Sequence, residues 1–158
     1  MTDTIDADRV RTWIDDELVE SVEPMPDEMA AFNLLVEISG MMIHIIRRQP
    51  NGPILIGQRI EYGESVRTRI QRLSEPDRDE LVARVRESLI QTPGVYGFQD
   101  EHGLSVPLSE MRLIFIERRI YPQQADQQRL MDGLIGVWKA MRYLDDLPKL
   151  IESVESRG

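Results

Sequence analysis

The 158-residue chain contains no cysteine, which excludes disulfide frameworks, thiolate metal sites and cysteine nucleophiles. Lysine is nearly absent as well: 17 of the 19 cationic residues are arginine, and only Lys139 and Lys149 are lysine. Two readings of that bias stand open. One is a high-GC coding bias. The other is a salt-rich cytoplasm, where carboxylates keep a surface hydrated and arginine replaces the strongly hydrated ammonium of lysine. Histidine is limited to His44 and His102. A transition-metal site would need both plus carboxylates, since catalytic zinc usually takes three protein ligands. Neither a Gly-rich phosphate loop nor a G-x-S-x-G elbow can be read anywhere. Positive charge is also in deficit. The net charge of −9 leaves no basic surface of the kind nucleic-acid phosphates require.

Long apolar runs are missing too. The longest lies around residues 41–46 and is interrupted by His44, whereas a helix crossing a bilayer takes about 20 apolar residues. Residues 1–8 are acidic and lack the apolar core of a signal peptide. The expectation is a cytoplasmic protein without a membrane partner and without a cofactor. What is present is enough to fold. A 41% hydrophobic content argues against disorder, and domains of about 150 residues bury roughly 68–70% of their unfolded surface. The length fits a single domain over residues 1–158, with 1–5 and 156–158 frayed.

Periodicity then predicts the elements. Val10, Trp13, Ile14 and Leu18 form one helical stripe over residues 6–20, capped by Asp6 or Asp8. Pro24 and Pro26 end that helix in an extended linker. Alternation over residues 32–38, 41–48 and 54–60, separated by Ser39-Gly40 and Pro50-Asn51-Gly52-Pro53, reads as a three-strand antiparallel meander. Met42, His44 and Ile46 make the second face of the middle strand apolar as well. Residues 64–73 suit either a strand or a helix, and the helix is favoured because Gly63 breaks the chain before them. Ser74 as cap and Pro76 in the first turn start a helix over 76–91. Two strands follow, around 95–98 and over 111–121, then a long helix over 123–143 and a short one in 145–155. The class is α+β: helix, three-strand antiparallel meander, helix or helix pair, two strands, long helix.

Candidate functional residues are few. Carboxylates such as Asp15, Asp16, Glu17, Asp145 and Asp146 read as solvated faces, because no base, nucleophile or oxyanion donor can be placed beside them. His44 reads as a satisfied core or interface histidine and His102 as an exposed turn residue. Partner contacts are expected at Trp13, Met25 and Met29: a large aromatic, and two adaptable thioethers in the proline-held linker whose backbone stays available for strand pairing. The competing reading makes Trp13 ordinary core and the linker a passive connection. Anion contacts are the alternative function, at Arg47, Arg59 and Arg118.

Ile54-Leu55-Ile56-Gly57-Gln58-Arg59-Ile60 leading into the next segment, Leu73-Ser74-Glu75 followed by Arg78, Leu81, Arg84 and Leu89, and Ile120-Tyr121 before the last helix carry a resemblance. Over residues 6–142 the chain resembles an uncharacterised archaeal family with a type III secretion chaperone-like fold. The resemblance implies an acidic homodimer that binds other polypeptides along its surface, and it supplies no catalytic residue. The apolar second faces of the strands at 41–48 and 111–121 independently suggest a homodimer, since an antiparallel sheet usually leaves one face wet. The functional expectation is a non-enzymatic protein-binding module, chaperone-like or an adaptor, with a small-anion sensing domain as the alternative.

Overall fold

In the computed structural model, which describes residues 5–155, the alternating runs become strands β1 (Ser21–Pro24), β2 (Phe32–Ile38), β3 (Met41–Arg47), β4 (Ile54–Glu61), β5 (Val95–Gln99) and β6 (Leu113–Ile120). Five helices accompany them: α1 (Ala7–Trp13), α2 (Glu64–Arg72), α3 (Glu75–Ile90), α4 (Gln127–Asp145) and α5 (Leu147–Glu155). The chain is α+β, and its six strands form one sheet in the order β1-β2-β3-β4-β6-β5. Two compact units share it. The first uses the chain up to Gln58 and Glu117–Trp138; the second uses Arg59–Ile116 and the chain from Lys139.

In the first unit, β1, β2, β3 and β4 pair antiparallel in succession. Ser39 and Gly40, both at positive φ (47° and 79°), join β2 to β3. This two-residue turn has the handedness that matches strand twist, and it sets Ile38 opposite Met41. Leu34, Val36, Ile43, Ile45 and Ile56 on one face are fully buried. On that side α4 comes close: a Cβ on its Gly133 would lie 2.6 Å from the Ile56 Cδ1 atom and 3.3 Å from the Arg118 Cδ. The glycine admits the strand side chains where any larger residue would push them away.

In the second unit, Ser74 caps α3 by accepting the Asp77 N–H, with Pro76 in the first turn. Leu81, Val85 and Leu89 form its buried stripe, as Ile151 and Val154 do for α5. Arg84 donates to the Ser153 hydroxyl and to Glu80, linking the two helices. Residues 64–72 are helical, with Gly63 at the N-cap.

Three expectations are corrected. The first helix stops at Trp13 instead of continuing to residue 20. Asp15 accepts the Glu17 N–H with its own side chain, a local turn that competes with helical bonding. Leu18 is consequently 47% exposed, and Val19 is buried in its place. The linker is not free backbone: Ser21–Pro24 is strand β1, paired to β2 from Ser21↔Glu37 to Pro24↔Leu34. The long helix starts at Gln127, after a 3-10 turn over Pro122–Gln124, where Asp126 accepts the Arg129 N–H. The expected fraying at 1–5 and 156–158 lies outside the described residues except at Ile5, which is buried.

Arg47 closes the first unit's core. It lies on the buried face and is 4% exposed. Its Nε donates to the Gly52 carbonyl and its Nη1 to the Ile5 carbonyl, each at 2.9 Å. Burial lowers its pKa from the ordinary arginine value, yet arginine remains charged at neutral pH. Arg47 therefore ties the β3–β4 turn to the segment before α1. Replacing it by Met leaves the buried Ile5 carbonyl and the part-buried Gly52 carbonyl without their donor. Arg47→Met should lower unfolding free energy by about 2–4 kcal/mol, measured by urea denaturation. A change below about 0.5 kcal/mol, the range of ordinary surface substitutions, would refute the assignment.

Candidate functional site

The first unit offers a sheet face opposite its buried one. The register places Leu35 opposite His44, Glu37 opposite Met42 and Asn33 opposite Ile46, with Ser21 and Glu23 of β1 beside Glu37 and Leu35. All these side chains project to the same side, because alternate residues share a face. Leu35, Met42, His44 and Ile46 are each half-buried, and Glu23 is exposed. Three apolar side chains thus remain partly in water at the centre of the meander. The His44 ring approaches the Asn33 Oδ1 at 3.5 Å, and Gln58 donates to the Met42 carbonyl.

The segments flanking β1 expose apolar side chains as well. Leu18, Met25 (38% exposed) and Met29 (86%) lie there. Met25 donates its N–H to the Asn33 carbonyl at 2.8 Å. The two-residue alternation of an antiparallel ladder then turns the Pro24 nitrogen outward, where proline has no hydrogen to give. Asp27 holds the following turn, accepting from the Met29 N–H at 3.0 Å and the Asn33 amide at 3.2 Å. The methionines are therefore presented on a backbone that is itself fixed.

The other expected residues are distributed differently. Trp13 is half-buried. The Arg9 guanidinium lies 5.6 Å from its ring centre, and its carbonyl accepts from Gln127 at 3.1 Å. Its carbonyl ties α1 to α4. Arg47 is internal, its Nε and Nη1 donated to backbone carbonyls. Arg118 is half-buried beside Gly133. Arg59, on β4, is exposed. Leu18, placed by periodicity on a helical stripe, joins the exposed patch; the Asp15-Asp16-Glu17 turn-forming run was the available signal.

Arg59 lines a cleft of about 400 Å³ with Glu61, Tyr62, Gln99, Asp100, Glu101, Gly103, Arg112 and Leu113. Two of its charges, Arg112 and Glu101, are tied into a chain of ion pairs through Glu64 and Arg67. Arg112 pairs with Glu64 at 2.9 Å, and Arg67 with Glu64 at 2.7 Å and Glu101 at 3.3 Å. Tyr62 donates to the Leu144 carbonyl at 2.7 Å. Burial, then the Asp145 charge, pushes its pKa well above the ordinary phenol value, so it stays neutral and is unsuited to act as a base near pH 7. Among the described residues no group of three or more His, Asp or Glu side chains could hold a metal ion, and no helix is long and apolar enough to cross a membrane.

With this geometry in view, the chain belongs to the family described as "Uncharacterized conserved protein (DUF2299)", whose model matches residues 6–147. It is also similar to a solved structure described as an uncharacterized protein from Methanothermobacter thermautotrophicus, at 20% identity and a TM-score of 0.68, over 95% of this chain and 96% of that one. That likeness establishes a shared fold. No curated protein matches.

The wall of the cleft depends on one turn. Asp100 accepts the N–H groups of Leu104 at 3.0 Å and His102 at 2.9 Å, and Gly103 completes the turn at φ 80°. The Leu104 N–H, then that of His102, then the charges of His102 and Arg67, hold the Asp100 carboxyl below its ordinary value. A depressed carboxyl stabilises the fold above its unfolded pKa of about 3.9, and that contribution is lost as pH falls through the folded value. Asp100→Asn should therefore be less stable than the parent at pH 7, with the gap closing only below about pH 4. Thermal unfolding at stepped pH measures it; a gap that closes between pH 7 and pH 5 would rule this account out.

Proposed function

We propose that this chain is a non-enzymatic module that binds another polypeptide, in the manner of a chaperone or adaptor, on the open face of its first unit. The observation that carries the reading is the half-buried trio Leu35, Met42 and Ile46 on the open face, with Leu18 exposed before β1 and Met25 and Met29 exposed after it. Apolar side chains left in water on one face are a feature of interaction sites, and methionine adapts its shape to varied partners. The resemblance to type III secretion chaperone-like proteins supports the same reading. Because Pro24 blunts the strand edge, binding runs through side chains rather than through an added strand.

The reading includes self-association, and for that the second unit supplies the surface. Val95 on the edge strand β5 is 55% exposed, as are Ile90 (69%) at the end of α3 and Leu104 (63%) after β5. From Ser88 to Gln99 the chain carries no charge, so two copies of an acidic protein meet less repulsion along that stretch than elsewhere. Val95→Lys should convert a dimer to a monomer. Light scattering over a range of concentrations tests this, and a parent protein that stays monomeric at high concentration would end the dimer proposal.

Small-anion sensing is the second reading, favoured by one observation: Arg59 and Arg112 both line the cleft. An anion at 100 times its Kd would add about 2.7 kcal/mol of stability. A thermal-shift screen with phosphate, nucleotides and dicarboxylates distinguishes it from polypeptide binding.

For the main reading, Met25→Ser together with Met29→Ser is the decisive change. Both side chains are solvent-exposed, so unfolding free energy should move by less than about 0.5 kcal/mol, while binding of a permanently unfolded reporter chain weakens. Loss of several kcal/mol of stability, or unchanged binding, would count against the site.

A further inference from the structure

The polypeptide site has a charge as well as an apolar surface. Between Asp15 and Glu28 lie seven carboxylates and no lysine or arginine. Among the described residues none of the seven is paired with a cation, although Glu64, Glu80, Glu101, Glu117 and Glu155 each pair with an arginine elsewhere in the chain. Asp15 and Asp27 spend an oxygen on local N–H groups. Glu20, Glu23 and Glu28 are exposed. These three stand among Leu18, Met25 and Met29 in sequence, and Glu23 shares its sheet face with Leu35 and half-buried Glu37.

We infer that the partner segment for this face is basic and apolar together: Lys or Arg side chains interleaved with Leu, Ile or Met. The inference rests on the reading of this face as a polypeptide site, and it names the chemistry of what is bound. The apolar side chains supply the contact area. The unpaired carboxylates select the occupant, because an acidic segment would meet like charge repeatedly between Asp15 and Glu28. The same argument disfavours two-fold pairing of this face with its own copy, which would bring carboxylates against carboxylates. Self-association is left to the uncharged β5 edge. A cationic partner also relieves the mutual repulsion that the run from Asp15 to Glu28 carries in the free protein.

Fluorescence anisotropy with the full chain and three labelled peptides tests this. The peptides are a Lys/Leu segment, the same segment with Ser in place of Lys, and the same with Glu in place of Lys. The Lys/Leu peptide should bind at least about tenfold more tightly than the Ser version, with the Glu version weaker still. Its affinity should fall as salt rises, because surface charge is screened over about 10 Å at 0.1 M salt and about 3 Å at 1 M. The triple variant Glu20→Gln, Glu23→Gln, Glu28→Gln, none of whose altered side chains holds a hydrogen bond in the structure, should lose that preference while keeping its binding of the Ser peptide. Met25→Ser with Met29→Ser should weaken both peptides and keep the ratio between them.

The outcomes separate the two claims. If the Lys and Ser peptides bind equally and both weaken in the methionine variant, the site stands and the basic partner is wrong. If the Lys peptide binds but the methionine variant leaves its affinity unchanged, contact is by charge alone, and the inference and the site both fall. Equal affinity of parent and triple variant for the Lys peptide would likewise overturn the inference.

Discussion

The register between β2 and β3 decides which side of the first unit is core and which is surface. Ser39 and Gly40 make a two-residue turn with both residues at positive φ, and such turns permit one pairing. Ile38 then faces Met41, and each residue down the ladder is assigned. A slip by one position would exchange the sets, since side chains alternate with period two. Leu34, Val36, Ile43 and Ile45 would meet water, and Leu35, Glu37, Met42 and His44 would enter the core. The buried set is β-branched or leucine throughout. The open set includes a carboxylate, an imidazole and a thioether, groups that the interior would have to desolvate. The turn and the pattern therefore enforce the same answer, and the half-apolar outer face follows from that answer. Arg47 belongs to the same constraint. Its place on the buried face is fixed by register, and the cost of its burial is offset by the Ile5 and Gly52 carbonyls.

The two edges of the sheet are treated differently. β1 is four residues long, carries Glu23, and turns the nitrogen of Pro24 outward. Shortness, charge and proline are the devices that keep an edge from recruiting another strand. β5 is also short, at five residues, but has neither charge nor proline; its sequence is Val-Tyr-Gly-Phe-Gln. Part of its outer side is occupied by the chain's own return, where Val106 donates to the Phe98 carbonyl and Gln99 bridges to Ser105. A Cβ on Gly97 would lie 2.7 Å from the Phe115 ring, so the aromatic covers the strand where the glycine leaves room. An edge protected by packing rather than by charge can accept an uncharged neighbour, and an edge protected by carboxylates cannot accept an acidic one.

Much of the fold was legible because local and long-range signals agreed. The β2–β3–β4 meander, the Ser74-capped helix with its Leu81, Val85 and Leu89 stripe, and the helical reading of residues 64–72 rest on turn chemistry and periodicity pointing the same way. The first segment was misread where they conflict. Val10, Ile14 and Leu18 keep helical spacing, but Asp15 closes a turn on the Glu17 N–H, and a short side-chain bond outweighs one apolar residue at the end of a short helix. β1 was hidden because Pro24 and Pro26 argue against a strand in general, though an edge position tolerates proline. Of the site, the exposure of Met25 and Met29 was legible from their proline-rich surroundings. The internal role of Arg47 was not, because burial of an arginine depends on carbonyls 5 and 42 residues away in sequence, which no local pattern reports.

The acidic run is the feature that the fold itself does not need. Its carboxylates stabilise no helix end beyond the local turns at Asp15 and Asp27, and they repel one another at the edge where three apolar side chains are also left in water. A sequence constrained only by folding would place an arginine among them, as it does beside Glu64, Glu80 and Glu117. Local arrangements that cost stability without a folding benefit concentrate where a protein meets something else. Here both costs, exposed apolar area and unneutralised charge, fall on one edge of one unit. A ligand of opposite charge and similar apolar character removes both at once. Neither a purely apolar partner nor a purely ionic one would do so, which is why the two features are read together as one surface.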